Sequence, residues 1–172
     1  LEKYITLAPK IRTYEKRDVY PLTGSQKGIF AECIKNPEST IYNIPFLFEL
    51  DNSVDVQKLS AAVTAMVNAH SYLLTKVYLN DDGEMVQCPC EKEFVPEIIE
   101  TTNDKFETVK NELVRPFKLE KGRLFRAEIY LTEDKKYLFT DFHHIIADGN
   151  SYDIIFADIN RAYMGEKLEK ES

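Results

Sequence analysis

Hydrophobic positions along this chain change period several times, and each change predicts an element. Residues 1–18 are weakly periodic, with a basic bias from Lys10, Arg12, Lys16 and Arg17, and read as a linker or peripheral arm. Pro21 sets an extended approach, and Thr23 or Ser25 is placed to cap a helix reaching about Lys35. Gly28 inside that helix is expected to allow a close backbone approach. Tyr42 to Leu50 reads as a strand. Behind Asp55, a capping residue, Val56, Leu59, Ala62, Val63, Met66 and Val67 recur at helical spacing. Leu73–Leu79 and Glu84–Cys88 flank Asn80-Asp81-Asp82-Gly83, a strong hairpin signal.

Phe94 to Thr102 alternates imperfectly around Pro96 and predicts an edge strand. A short helix over Phe106, Val109 and Leu113 follows, capped by Asn103 or Asp104 and stopped by Pro116. Two strands, Leu124–Leu131 and Lys136–His143, join at Thr132-Glu133-Asp134-Lys135. Asp148-Gly149-Asn150-Ser151 is a turn in which Asn150 or Ser151 caps a half-apolar helix from Ser151 to Met164. Gly165 ends that helix, and residues 166–172 read as a charged, solvated tail. Strands and helices mix without a regular βαβα rhythm, which predicts an α+β fold with helices packed on a sheet.

The 172 residues suffice for one domain with a real core. The net charge of -7, from 22 basic and 29 acidic residues, argues against nucleic acid as the main partner. No apolar run approaches the roughly 18 residues needed to cross a bilayer, so no membrane partner is expected. No secretory leader pattern is visible, and three cysteines, Cys33, Cys88 and Cys90, fit free thiols in a reducing cytoplasm. The start at Leu1 suggests a segment of something longer.

Candidate chemistry concentrates at one strand end. His143 and His144 stand side by side after the apolar run Tyr137–Phe142. Adjacent strand residues point to opposite faces, so the two cannot readily serve one site together. One should face a cleft while the other packs inside, and spacing does not say which. Asp148 beyond the strand is placed to brace the turn, to orient a histidine, or to do neither. The divergence of the two histidines and the absence of ligand spacing disfavour a metal.

The stretch Phe142-His143-His144-Ile145-Ile146-Ala147-Asp148-Gly149 resembles the His-His-x-x-x-Asp-Gly signature of condensation domains of nonribosomal peptide synthetases. These belong to the chloramphenicol acetyltransferase-like superfamily. Tyr20-Pro21-Leu22-Thr23-Gly24-Ser25-Gln26 is similar to the family's first motif, although Lys27 and Gly28 replace bulkier residues. Ala69-His70-Ser71-Tyr72-Leu73-Leu74-Thr75 falls where the second motif belongs, but Ala69 and Leu74 stand where the family has arginines. Pro116-Phe117-Lys118-Leu119 and Gly122-Arg123-Leu124-Phe125-Arg126 resemble a further segment, with Lys118 and Arg123 as departures.

The resemblance implies a two-layer α/β sandwich lobe spanning residues 19–165, the N-terminal of two lobes, whose C-terminal companion lies outside this sequence. It implies His144 as the catalytic residue, with His143, Asp148 and Gly149 in supporting roles. Gly149 would let the backbone approach the reacting thioester. The family's aspartate pairs with an arginine of the second motif; with those arginines absent, Asp148 must find another cation, Arg123 and Arg126 being the candidates, or stay hydrated. The implied reaction is amide formation between substrates carried on phosphopantetheine arms of carrier proteins, with no cofactor bound directly. Implied partners are the companion lobe, peptidyl carrier proteins and adjacent synthetase domains, and the fragment alone should have little activity. A related acyltransferase, an epimerisation domain, or a non-catalytic carrier-docking module are the alternatives.

Overall fold

The structure, a computed structural model, describes residues 17–90 and 93–170. Most of the basic arm, residues 1–16, and the last two residues of the charged tail lie outside the described residues. Among the described residues, seven strands and four α-helices follow in order: β1 (Tyr20–Pro21), α1 (Gly24–Lys35), β2 (Asn43–Leu50), α2 (Val56–Ala69), β3 (Thr75–Leu79), β4 (Met85–Pro89), β5 (Glu97–Glu100), α3 (Asn103–Val109), β6 (Phe125–Leu131), β7 (Lys136–His143) and α4 (Gly149–Tyr163).

The strands form two sheets. The larger has the order β2-β7-β6-β5, antiparallel except for the parallel pair β5 and β6. Period-two alternation divides its central strands cleanly. Phe125, Ala127 and Ile129 of β6, with Leu138 and Phe142 of β7, join Val63, Met66 and Val67 of α2 and Ile155 and Ile159 of α4 in the main core. The opposite face carries Tyr130 and Phe139, covered by Phe106 of α3 and by Leu113. The smaller sheet, β1-β4-β3, packs Val77 against Leu22, Phe30 of α1, Leu119, Leu124 and Ile145. The architecture is α+β, as the mixed pattern predicts.

Local signals explain the boundaries. Thr23 caps α1 in a capping box with Gln26, and Asp55 caps α2 by accepting from the Lys58 N–H. Gly83, at φ 76°, closes the β3–β4 hairpin in the left-handed region that glycine tolerates. Gly122 also has positive φ, and a Cβ there would collide with Cys90 Sγ.

Several expectations shift. The cap of α3 is Thr102, whose hydroxyl accepts from the Lys105 N–H. Helix α3 stops at Val109 in a short 3-10 turn, well before Pro116. Nothing lies within 4 Å of a Cβ built on Gly28, so no close approach explains that glycine. In the tail, Leu168 packs against the main core while its charged neighbours are exposed.

Candidate functional site

The two outer ladders of β7 meet at the signature. Asn43 of β2 lies opposite His143, and Phe125 of β6 lies opposite Phe142. Beyond the last rung, the His143 N–H donates to the Leu124 carbonyl at 2.9 Å and the His144 N–H to the Tyr42 carbonyl at 2.8 Å. The backbone of the histidine pair is therefore held from both sides. His143 continues the Phe139-Asp141 face and is 4 % exposed, whereas His144 sits in the turn and is exposed. The sequence left the direction of each ring open; the fold turns the first inward and the second outward.

Hydrogen bonds fix both neutral tautomers. His144 Nδ1 is 3.0 Å from the Ala147 carbonyl, an obligatory acceptor, so Nδ1 carries the proton. Its Nε2 then bears a lone pair on an exposed residue, the arrangement a proton acceptor requires. The Tyr152 hydroxyl donates to the same carbonyl at 3.3 Å, and burial pushes its pKa up to about 12. In His143 the order is reversed. Ile145 N–H donates to Nδ1 at 3.2 Å, so the proton sits on Nε2 and points at Cys33 Sγ, 3.6 Å away. Burial, aided by the neighbouring His144, pushes the His143 pKa down to about 4. The ring stays neutral, wedged edge-on against Phe117 with ring centres 5.8 Å apart.

Of the two outcomes open to Asp148, another cation or none, the described residues show no cation beside it and a capping role instead. Its Oδ1 accepts from the Ser151 N–H at 3.2 Å and from the Ser151 hydroxyl at 2.9 Å, and its own N–H donates back to Ser151 Oγ. Asp148, not Asn150 or Ser151, is thus the N-cap of α4, in a reciprocal capping box. The Ser151 hydroxyl and N–H hold its carboxyl below the ordinary aspartate range, with a further contribution from His144. Neither candidate arginine pairs with it. Arg123 donates to the Glu93 carbonyl, and Arg126 binds Asp141 at 3.3 Å. Among the described residues Asp148 makes no ion pair. Gly149, the first residue of α4, is exposed, with open space where a Cβ would be.

The structure also assembles side chains that were not singled out. Asp141, two residues before His143 on the same face, is fully buried. Its Oδ2 accepts from Asn43 at 2.7 Å and from Arg126, and Oδ1 has no partner among the described residues. Burial outweighs these donors and pushes the Asp141 pKa up to about 6. Arg126 also donates to the Arg115 and Pro116 carbonyls and stacks 3.9 Å from the Phe117 ring centre, fastening that segment over His143. Next to it, Glu128 is shared between Arg115 and the Tyr130 hydroxyl. A polar pair inside an otherwise apolar strand run, Thr140-Asp141, was the available signal. Gln26 of α1 reaches the signature directly, its amide donating to the Ile145 carbonyl at 3.0 Å. His70 closes α2 and bonds Asp158 of α4 at 2.8 Å, joining the two core helices.

Comparison with known proteins shows what the chain is similar to. A family model described as Condensation domain matches residues 16–172. Surfactin synthase subunit 2 of Bacillus subtilis (strain 168) is 32% identical over 160 residues, and bacitracin synthase 3 of Bacillus licheniformis is 30% identical over 162. Each alignment covers 92% of this chain but only 4% and 2% of those relatives. Among solved structures, the starter condensation domain of rhizomide synthetase RzmA superposes with a TM-score of 0.75 at 18% identity, covering 91% of this chain and 40% of that one. The first condensation domain of the CDA synthetase gives 0.73 at 14% identity, covering 91% and 44%. The chain therefore spans less than half of the solved domains it resembles and a few per cent of the two synthases.

Proposed function

This chain belongs to the condensation-domain family, and from that premise we propose that residues 19–165 are the N-terminal lobe of a peptide-forming condensation domain with His144 as its catalytic residue. The observation that carries the proposal is the His144 ring: exposed, anchored through Nδ1–H on the Ala147 carbonyl, and left with its Nε2 lone pair as the group able to accept a proton.

The reaction joins two thioester-bound substrates on the phosphopantetheine arms of carrier proteins. The acceptor's α-amine attacks the donor's thioester carbonyl, forming a C–N bond and a tetrahedral intermediate. The C–S bond then breaks, the amine proton leaves by way of His144 Nε2, and the donor arm departs as its thiol. A free α-amine has a pKa of about 8, so deprotonation near neutrality is a small step. General-base help at this step is worth roughly 10² to 10⁴ in rate. The same lone pair also suits holding the amine by a hydrogen bond and stabilising the charged intermediate. His143 stays neutral behind the strand, Asp148 holds the start of α4, and Gly149 leaves the backbone open to an approaching thioester. The companion lobe supplies the rest of the cleft, so this segment alone is inactive.

His144→Ala, introduced into the intact synthetase module, is expected to lower peptide formation by roughly 10² to 10⁴. Melting of the lobe should stay within about 0.5 kcal/mol, the usual range for an exposed side chain. Product formation on carrier-loaded substrates, beside a thermal melt, checks both; undiminished turnover removes His144 from the chemistry. The missing arginine pair of Asp148 favours a second reading, a carrier-docking module without catalysis. Carrier binding by wild-type protein that forms no product would select it.

A further inference from the structure

A cavity of about 360 Å³ opens behind the signature, on the His143 side and away from the exposed His144. That size lies at the low end of small-molecule pockets, roughly 300 to 1,000 Å³. Phe30 and Ile34 of α1, Phe117 and Leu119 make its walls mostly apolar. Lys118 and Lys121 stand at its edge with Glu38 and Glu120, so the two charge signs balance. Asn36 and Ser39 also line it, and the polar groups that meet each other on its wall are His143 and Cys33.

The hydrogen-bond arithmetic at these two groups is uneven. His143 is locked by Ile145 into the tautomer that presents Nε2–H, a good donor on a side chain that has lost its water. The acceptor it finds is a thiol sulfur, a weak one. Burial and the adjacent Glu32 raise the Cys33 pKa, so the sulfur is a neutral thiol and not a thiolate, which would accept more strongly. A buried donor matched to a poor acceptor, at the wall of an apolar cavity, favours any ligand that brings a better oxygen.

We propose that this cavity is a second binding site, for an uncharged aliphatic chain bearing a carbonyl oxygen that replaces Cys33 as the acceptor of His143 Nε2–H. The apolar walls take the chain, the balanced edge gives a net charge no advantage, and the imidazole N–H reads the oxygen. The site needs no catalytic role for His144 and stands apart from the condensation reading.

The test uses the intact condensation domain with octanamide as the probe. Titration followed by NMR of the histidine ring nitrogens is expected to move His143 Nε2 saturably, with a dissociation constant on the order of 1 mM for so small a ligand. The His144 signals should stay in place, and alkylation of Cys33 by iodoacetamide should slow in proportion to occupancy. Ile34→Trp, at a half-exposed wall position, should abolish both effects without changing the melt. His144→Ala should bind octanamide as the wild type does, which separates this site from the catalytic proposal. No saturable shift at His143, a shift that survives Ile34→Trp, or binding of octanoate in preference to octanamide would overturn the assignment.

Discussion

Asp141 and His143, two buried groups on one face of the strand that leads into the signature, titrate in opposite senses. Asp141 has its folded pKa raised to about 6 from 3.8, so its contribution favours the folded state at low pH and is lost as pH rises through about 6. His143 has its folded pKa depressed to about 4 from 6.5, so its contribution is lost as pH falls from about 6.5 toward 4. At 1.36 kcal/mol per pH unit each displacement is worth about 3 kcal/mol, and over pH 4–6 the two slopes nearly cancel. Asp141→Asn removes one of them. The variant's stability should therefore climb with pH between about 4 and 6 by about 3 kcal/mol relative to the wild-type profile. Urea midpoints measured across that range check it; parallel profiles for the two proteins would refute the assignment. Which histidine faced inward was illegible in the sequence, because alternation fixes only that neighbours diverge. The answer came from Cys33 and Asn43, 110 and 100 positions upstream of His143, whose arrival beside it no local pattern records.

At the level of elements, strand β7 carries both the core and the site. Phe142 is fully buried among Phe125, Tyr152, Phe46 and Phe156, with ring centres 4.7, 5.2, 6.1 and 6.2 Å away. Phe142→Ala should cost about 3 to 5 kcal/mol through lost burial and the cavity left behind. Equilibrium denaturation of the isolated chain measures this, and a loss below about 1 kcal/mol would mean that the aromatic cluster collapses to fill the space. The strands, the hairpin and the two long helices were legible because their apolar positions keep one period throughout. The helix starts were less so: a cap is chosen by backbone geometry among several adjacent candidates. At Thr102 the cap falls one residue before the two expected ones, and at Asp148 two residues before.

For the whole molecule, several large apolar side chains lie open at the surface. Ile41 is 75 % exposed, Met164 70 % and Ile154 56 %, and β2 leaves its outer edge unpaired among the described residues. Exposed apolar groups and an open strand edge each favour association. The chain alone is expected to self-associate at micromolar concentration, and a separately produced companion lobe should suppress this. Sedimentation with and without that lobe decides it; a monodisperse chain unaffected by the lobe would count against the two-lobe reading. The resemblance in the signature and its flanking motifs made the family and fold legible. The replacement of the second-motif arginines hid the local role of Asp148, since a capping box needs only the serine three residues on.

The pairing of β2 with β7 sets Asn43 against His143 across most of the chain. Antiparallel neighbours that far apart must close a long loop before they gain anything, which makes the step late and slow. The His144 N–H reaches the Tyr42 carbonyl only after that closure, whereas the tie from His143 to Leu124 comes with the more local pairing of β6 and β7. During synthesis, the ribosome must therefore release the chain through β7 before β2 can grip the signature, and until then the histidine pair is held from the β6 side alone.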